Sequence, residues 1–327
     1  ITTELAAVSV FMIGALATSM TIAVAVVLGG AVTLLLHWKK PMHATVQQIG
    51  EDEFEAITRF VLVTLIVLPL LPNQAYGPYD VLNPWQIWLM VSLIVGLNVA
   101  GYVALKVFSG RGGALVGGLF GGLISSTATT VSFSKRAHSE PNLAPVAGII
   151  IIIASSLVYV RIFIEVGAVA SGLLPAMILP VGTFMLLFAV VIGVSVIRFE
   201  PVAHEPADPG NPAELSTALG FAALYSVVLF ISAAVNERYG ETMLYPVAII
   251  SGLTDVDAIT LSTANLYAAQ RIDVDSAWRL IFVASLSNLI FKAGIVAALG
   301  SPALKKRVLP ILFGLGAIGF VGVAVWP

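Results

Sequence analysis

The chain contains no cysteine, only four histidines and few charged residues, since Asp, Glu, Lys and Arg make up 10% of its 327 positions. Without cysteine, disulfides, thiolate metal sites and thiol catalysis are all excluded. Histidine is too sparse for a zinc cage built on imidazole. A formal net charge of −2 leaves no basic face for nucleic acid, so no nucleic-acid partner is expected.

Hydrophobic sequence fills the space that charge leaves. Hydrophobic residues make up 58% of the chain and the mean hydropathy is +1.00, whereas charged residues alone make up about 25% of a soluble domain. Apolar windows of about 20 residues recur, and each is long enough to cross a ~30 Å hydrocarbon core. The sequence therefore predicts an all-α fold, a polytopic transmembrane helical bundle of about ten helices whose surroundings are the lipid bilayer. No signal peptide is expected after Ile1.

Two short polar segments interrupt the apolar sequence, and each contains a Gly-Leu step followed by polar residues. The first island covers residues 121–130 and the second covers residues 252–262. Hydrocarbon offers no partner to their side chains, which must therefore face protein, water or a bound solute. The islands contribute the candidate binding residues Ser125, Ser126, Thr127, Thr130, Asp255, Asp257 and Thr260.

The islands recur in similar surroundings, which indicates a duplicated unit. We predict an N-terminal membrane helix or helix pair at residues 1–40, a first membrane unit at 41–199, a soluble linker at 200–213 and a second membrane unit at 214–327. The linker is rich in proline and acid, which is typical of a connector between halves.

The distribution of basic residues favours an inverted arrangement of the two units. If both islands cross the membrane fully, Lys135 and Arg136 fall opposite Lys106 and Arg111, against the positive-inside tendency. If each island enters and leaves on one side, nearly all basic residues become cytoplasmic. We therefore predict two related, inverted units, each with a broken or re-entrant polar segment, as in many transporters.

Residues of the first island allow two interpretations. Glycines between residues 112 and 122 have small-xxx-small spacing, which serves either an internal helix contact or a homodimer. The hydroxyls after them can bond back to carbonyls one turn earlier. Around a helix break they can also supply neutral oxygen ligands to a hard cation, or sit beside helix-start amides that hold an anion.

In the second island, Asp255 and Asp257 are candidate metal ligands. On a regular helix they would point about 200° apart, so they converge on one solute only if the backbone is unwound there. Carboxylate, hydroxyl and carbonyl oxygens are the ligands of Mg²⁺ and related ions. The alternative is that these acids only neutralise Lys292 and Arg161.

Polar residues in two further apolar segments complete the candidate site. Asn288 lies one helical turn before Lys292, and Arg161 lies one turn before Glu165. Glu165 can pair locally with Arg161, whereas Lys292 has no local acid, so Asp255 or Asp257 is its expected partner. We assign Arg161, Glu165 and Lys292 to charge balance or coupling and add Asn288 to the binding set. Lys292 could instead bind an anionic solute.

Several stretches carry a family resemblance: Thr2-Thr3-Glu4, Leu68-Pro69-Leu70-Leu71-Pro72, the first island, residues 255–260, and Asn288 with Lys292. Together they resemble the bacterial MgtC/SapB-type membrane proteins that carry a C-terminal DUF4010 domain. The resemblance implies a multi-pass protein of the bacterial inner membrane that is associated with divalent-metal handling. It also implies that residues 1–40 are a remnant of the MgtC-like part.

These observations favour a transporter of divalent metal cations, with or without proton coupling, with no permanently bound cofactor and with Mg, Mn, Zn or Co as cargo. An anion or small-solute carrier using Lys292 and Arg161 is one alternative. A non-transporting regulatory membrane protein, in which the islands only pack, is another. An intramembrane enzyme would use the Asp pair as general acid and base, but the chain lacks a His or Cys nucleophile constellation, so no enzymatic activity is expected.

Overall fold

The computed structural model describes residues 51–108, 113–198 and 215–326, with a few positions before residue 51. In these ranges the chain is helical, without any β-strand beyond a single bridge between Tyr76 and Leu82. The helices are α1 Glu51–Leu62, α2 Pro84–Phe108, α3 Gly113–Ser139, α4 Ala144–Val169, α5 Leu174–Arg198, α6 Leu215–Tyr239, α7 Leu244–Thr254, α8 Val256–Ala268, α9 Val274–Leu299 and α10 Pro302–Val325. A π-helical stretch, Val63–Val67, continues α1.

The chain divides into two units, residues 1–54 and residues 55–327. In the first unit, residues 10–15 are helical and the Thr33 hydroxyl donates to the Gly29 carbonyl at 2.8 Å. The membrane helix or helix pair predicted at 1–40 falls almost wholly outside the described residues, and the linker predicted at 200–213 falls entirely outside them. Helices α2 to α10 lie in the second unit.

Seven helices in the described part of the chain are long and apolar enough to cross a membrane: α2, α3, α4, α5, α6, α9 and α10. The all-α, multi-pass class predicted from composition is confirmed. The predicted number of about ten transmembrane helices is not, because only seven of the described helices are long and apolar enough to cross. Helices α4 and α9 are the most enclosed, because their neighbours bury 72% of the most apolar window of each. They hold the centre of the bundle, where apolar side chains cover every face of a helix.

Helix α3 is interrupted at Ser125, whose backbone is extended (φ −161°, ψ 104°). The two halves, 113–124 and 126–139, fold back on each other. A Cβ built on Gly121 would lie 3.0 Å from Thr129 Oγ1, although eight residues of a straight helix rise about 12 Å. The tip of α3 therefore points into the bundle, and its length alone does not make it a crossing helix.

Close packing against α4 fixes this fold-back. A Cβ on Gly118 would lie 2.9 Å from Ile153 Cβ, and one on Gly122 would lie 2.5 Å from Ala154 Cα. The first half of α3 thus runs beside α4 in the same direction, and the second half returns to the point where α4 begins. These glycines serve an internal helix contact, and the homodimer alternative stays a prediction.

Helices α7 and α8 form a second helical hairpin, interrupted at Asp255 (φ −151°, ψ 123°). The backbone N–H of Asp273, after α8, donates to Glu241 Oε1, before α7, at 3.2 Å. A straight helix of their combined length would separate these residues by roughly 37 Å. Both ends of the hairpin therefore lie at one surface, and Asp255 lies at its tip.

The two interrupted segments share their local contacts at a constant spacing of 130 residues. A Cβ on Gly252 would meet Ala284 Cα at 2.8 Å, as Gly122 meets Ala154. Ser125 Oγ accepts from the Ala128 N–H at 3.2 Å, and Asp255 Oδ1 accepts from the Ala258 N–H at 2.8 Å. Each half of the chain thus contains the same unit, an interrupted helix whose glycine packs against the backbone of the following helix.

In the unit formed by residues 55–327, the helix ends lie at two surfaces. Arg271, after α8, donates to the Tyr79 carbonyl at 2.7 Å, and Arg279, near the start of α9, donates to the Trp326 carbonyl at 3.2 Å. We call this surface face I. At the opposite surface, face II, the start of α4 meets the start of α10, where a Cβ on Gly148 would lie 3.2 Å from Val308 Cγ2.

Candidate functional site

The tips of the two interrupted segments meet at a cavity of about 420 Å³. Its wall combines apolar side chains from α2, α4 and α6 with polar groups from both tips. The predicted site residues in that wall are Ser125, Ser126, Thr127, Arg161, Asp255, Asp257 and Asn288. Residues more than a hundred positions apart in the sequence are thus brought together.

Arg161 of α4 is the central polar residue of this cavity, with a side chain that is only 6% exposed. Its Nη1 donates to Asn98 Oδ1 at 2.9 Å, to the Ile124 carbonyl at 3.2 Å and to the Leu123 carbonyl. Its Nη2 donates to Asp257 Oδ2 and forms an ion pair with it. Four oxygen atoms from α2, α3 and α8 therefore surround one guanidinium group.

The break at Ser125 explains why these carbonyls are available. A helix leaves its last carbonyl groups without intrahelical donors, and its C-terminal end carries partial negative charge. Leu123 and Ile124 are the last residues of the first half of α3, so their oxygens face the cavity at a negative helix end. A positive group is favoured there, and Arg161 supplies one.

Glu165 lies one turn beyond Arg161 and is fully buried. Its Oε1 is 3.9 Å from Arg161 Nε, so the predicted local ion pair exists but is too long for a hydrogen bond. Neither carboxylate oxygen of Glu165 accepts from an N–H group in the described part of the chain, but the Glu165 carboxyl group lies within hydrogen-bonding reach of the Asp257 carboxyl group. Arg161 therefore lies beside two acids, of which only Asp257 accepts a hydrogen bond from it.

The two aspartates of the second island have different partners, although the helix break at Asp255 places both in the cavity wall. Asp255 caps the start of α8 through Ala258, whereas Asp257 binds Arg161. Among the described residues, no group of three or more His, Asp or Glu side chains is arranged to hold a metal ion. Cation ligands at this cavity would be two carboxylates together with neutral oxygens.

Lys292 interacts with one of its two expected partners, but at a distance. Within residues 51–108, 113–198 and 215–326 no carboxylate lies within ion-pair distance of it, and Asp257 is the acid whose charge acts on it. The reason is that Arg161 occupies Asp257 and the start of α8 occupies Asp255. Lys292 is 1% exposed and lies outside the cavity wall. Asn288, one turn earlier, does reach the cavity and donates from Nδ2 to the Gly252 carbonyl at 3.1 Å.

The hydroxyls of the islands divide into two groups. Ser125, Ser126 and Thr127 line the cavity. Thr130 and Thr260 are fully buried and do not line it. Thr130 Oγ1 donates to the Ser126 carbonyl at 2.8 Å, which is the back-bonding alternative predicted for such residues.

Three polar residues of the cavity wall were missed by sequence reasoning. Asn98 binds Arg161 from the middle of α2, and Thr217 and Thr254 line the wall from α6 and the end of α7. Asn98 is an isolated amide in the apolar run of α2, which is the signal that could have identified it. Thr217 gives no comparable signal, because it lies near a helix start.

Fold and site together define a polytopic helical membrane protein with a polar cavity between two interrupted helices. The chain belongs to the family described as "Domain of unknown function (DUF4010)", whose model matches residues 93–300. That range includes both interruptions, Arg161, Glu165, Asn288 and Lys292.

A relative of this chain is found in Aquifex aeolicus (strain VF5). It is an uncharacterised protein that is 30% identical over 204 residues, which cover 61% of this chain and 87% of the relative. No solved structure matches the chain. The DUF4010 part of the sequence resemblance is thus confirmed.

Proposed function

We propose that the protein is a membrane carrier for small cations, with divalent metal ions as the first candidates, and that the ion binds between the two hairpin tips. The observation that carries the proposal is the group of oxygens around Arg161. Asn98 Oδ1, the Leu123 and Ile124 carbonyls and Asp257 Oδ2 all bind one positive group. Carbonyl, amide and carboxylate oxygens are the ligands that hard cations prefer.

Electrostatics at the tips favour a cation over an anion. The carbonyl end of the first half of α3 faces the cavity and carries partial negative charge. The amide end of α8, where an anion would bind, is already capped by the Asp255 carboxylate. An anion carrier would need Arg161 and Lys292, but Arg161 is surrounded by oxygens and Lys292 lies outside the cavity wall.

The fold-back of both interrupted segments supports an inverted repeat. If neither α3 nor the α7–α8 hairpin crosses the membrane, each half crosses three times, by α2, α4 and α5 and then by α6, α9 and α10. An odd number of crossings turns the second half over relative to the first. Inverted repeats whose broken helices meet at a central site are typical of alternating-access carriers.

The same arrangement gives an orientation. Lys135, Arg136, Lys305 and Lys306 lie near helix ends at face II, whereas Arg238, Arg271 and Arg279 lie near face I. The larger share of basic residues assigns face II to the cytoplasm. The bacterial inner membrane is the location that the family resemblance implies.

Divalent metals are favoured by the number of carboxylates and by the resemblance to MgtC/SapB-type proteins. Asp255 and Asp257 both line the cavity, and Mg²⁺ commonly binds through one or two carboxylates while it keeps several water molecules. A cavity of about 420 Å³ has room for such a partly hydrated ion. Mg²⁺, Mn²⁺, Co²⁺ and Zn²⁺ are therefore the ions to test.

The test is ion flux into liposomes that contain the purified protein, with Asp257→Asn as the variant. This change keeps the side-chain volume but removes the carboxylate that accepts a hydrogen bond from Arg161, and we expect metal-dependent flux to be lost. The exposed Asp275 gives a control, Asp275→Asn, which should leave flux unchanged. Flux that survives Asp257→Asn, or a folded wild-type protein that moves none of the four ions, would contradict the proposal.

A further inference from the structure

We infer that the Arg161 side chain is a tethered substitute for the transported cation: it occupies the oxygen site while the site is free of ions and moves toward Glu165 when an ion enters. The inference rests on the proposed function. It adds a specific role for two residues of α4, which is distinct from forming the ion site itself.

The first argument is that the guanidinium and an ion would need the same oxygens. All four acceptors of Arg161 come from elements other than α4: Asn98 from α2, Leu123 and Ile124 from α3, and Asp257 from α8. A cation bound to these oxygens would lie within a few ångströms of the positive guanidinium. Two positive charges at that distance repel strongly in a partly dehydrated cavity, so occupancy by one excludes the other.

The second argument is that a partner for the displaced guanidinium is already present. Glu165 is one turn away on the same helix, its Oε1 is 3.9 Å from Arg161 Nε, and neither of its carboxylate oxygens accepts from an N–H group in the described part of the chain. A buried acid without a donor is costly, and such groups are normally satisfied. A rotation of the Arg161 side chain would satisfy Glu165 and release Asp257 to the cavity, without any change in the backbone of α4.

With Arg161 in the place of the cation, the carrier could return to its starting conformation without cargo. An empty site would leave Asp257, whose side chain is only 18% exposed, without its positive partner, and removing one partner of a largely buried ion pair is strongly unfavourable. With Arg161 on Asp257 the empty site stays paired, so the return step is not slowed by that penalty. The protein would then carry out net transport, whereas a carrier without Arg161 would mainly exchange one ion for another.

Binding of Mn²⁺ and Mg²⁺ to purified protein, measured by calorimetry, tests the competition. Arg161→Gln removes the competitor, and we expect binding at least about tenfold tighter, which is about 1.4 kcal/mol. Glu165→Gln removes the alternative partner, and we expect weaker binding. The double variant should bind more like Arg161→Gln than like Glu165→Gln, because without Arg161 only the direct contact of Glu165 with Asp257 remains; such non-additivity identifies residues that act together. Arg279→Gln and Glu140→Gln, at the ends of α9 and α3, are the matched controls and should bind like wild type.

A flux measurement separates this role from a purely structural one. In liposomes, Arg161→Gln should retain exchange of Mn²⁺ across the membrane but lose most net uptake, a split that general misfolding would not produce. If Arg161→Gln does not fold, Arg161→Lys gives the same comparison, since its single ammonium keeps the charge but cannot reach four oxygens at once. We expect it to bind Mn²⁺ with an affinity between those of wild type and Arg161→Gln.

The outcomes also distinguish the two proposals. Equal Mn²⁺ affinity and equal net uptake in wild type and the Arg161 variants would contradict the proposal that Arg161 takes the place of the cation. The proposal that the protein is a cation carrier would still stand. Weaker binding in Arg161→Gln would mean that Arg161 helps to hold the cargo, which also overturns it. If neither wild type nor any variant binds Mn²⁺ or Mg²⁺, both proposals fail together.

Discussion

Thr130 and Thr260 are equivalent residues, 130 positions apart, and both are fully buried. The Thr130 hydroxyl has an acceptor in the Ser126 carbonyl, whereas Thr260 Oγ1 has no partner within the described residues. A hydrogen bond contributes about 0.5–1.5 kcal/mol to stability, and an unsatisfied buried hydroxyl costs a similar amount or more. The two residues are thus equivalent in sequence, but the hydroxyl of Thr130 stabilises the fold whereas that of Thr260 destabilises it.

From this difference we predict opposite effects of the same substitution. Thr130→Val should lower the midpoint of thermal unfolding in detergent, and Thr260→Val should leave it unchanged or raise it, because valine has nearly the same shape but no hydroxyl. Ion flux should be unaffected by Thr260→Val, since its side chain does not line the cavity. A clear loss of flux in folded Thr260→Val protein would return Thr260 to the binding site that its sequence position suggested.

At the scale of elements, the hairpin tips depend on two glycines that touch the backbone of the next helix. A Cβ on Gly252 would lie 2.8 Å from both the Cα and the carbonyl carbon of Ala284, and backbone atoms have no side-chain freedom with which to move away. We expect Gly252→Ala to destabilise the protein by about 1–3 kcal/mol, the usual cost of overpacking. Gly294→Ala, on the same helix as Ala284 and with nothing within 4 Å, should be stabilising by up to about 1 kcal/mol. Thermal unfolding of both variants in one detergent checks the contrast, and equal midpoints would contradict it.

How far the sequence predicts these elements depends on whether the signal is local. The recurring apolar windows correspond to long helices such as Pro84–Phe108, and both polar islands contain a helix break, because apolar length and a run of hydroxyls or acids are local properties. In the sequence, only the distribution of basic residues indicates that the islands fold back. For the first island the cause is the packing of Gly118 and Gly122 on α4, which the local sequence does not reveal. The pairing of Arg161 with Asp257 joins residues 96 positions apart and competes with Glu165 four residues away. Tertiary structure decides such a competition. The expectation that residues one helical turn apart pair with each other therefore pointed to Glu165, which is the more distant partner.

For the whole molecule, the central question is which helix ends share a side of the membrane. The absence of cysteine makes single-cysteine labelling direct, since every introduced thiol is the only one in the chain. Phe108 and Ser139 lie at the ends of α2 and α3, on either side of the first interrupted segment. Thr242 and Gln270 lie on either side of the α7–α8 hairpin.

We predict that Phe108→Cys and Ser139→Cys react with a membrane-impermeant maleimide from the cytoplasmic side, and Thr242→Cys and Gln270→Cys from the opposite side. The physical reason is that each interrupted segment returns to the surface at which it entered, as the contact between Glu241 and Asp273 requires for the second. Labelling of intact cells reports on the outer side of the membrane, and labelling of inverted membrane vesicles reports on the cytoplasmic side. If the segments crossed the membrane instead, the members of each pair would react from opposite sides. In that case the two halves would each cross four times and run parallel, and the inverted repeat on which alternating access depends would be lost.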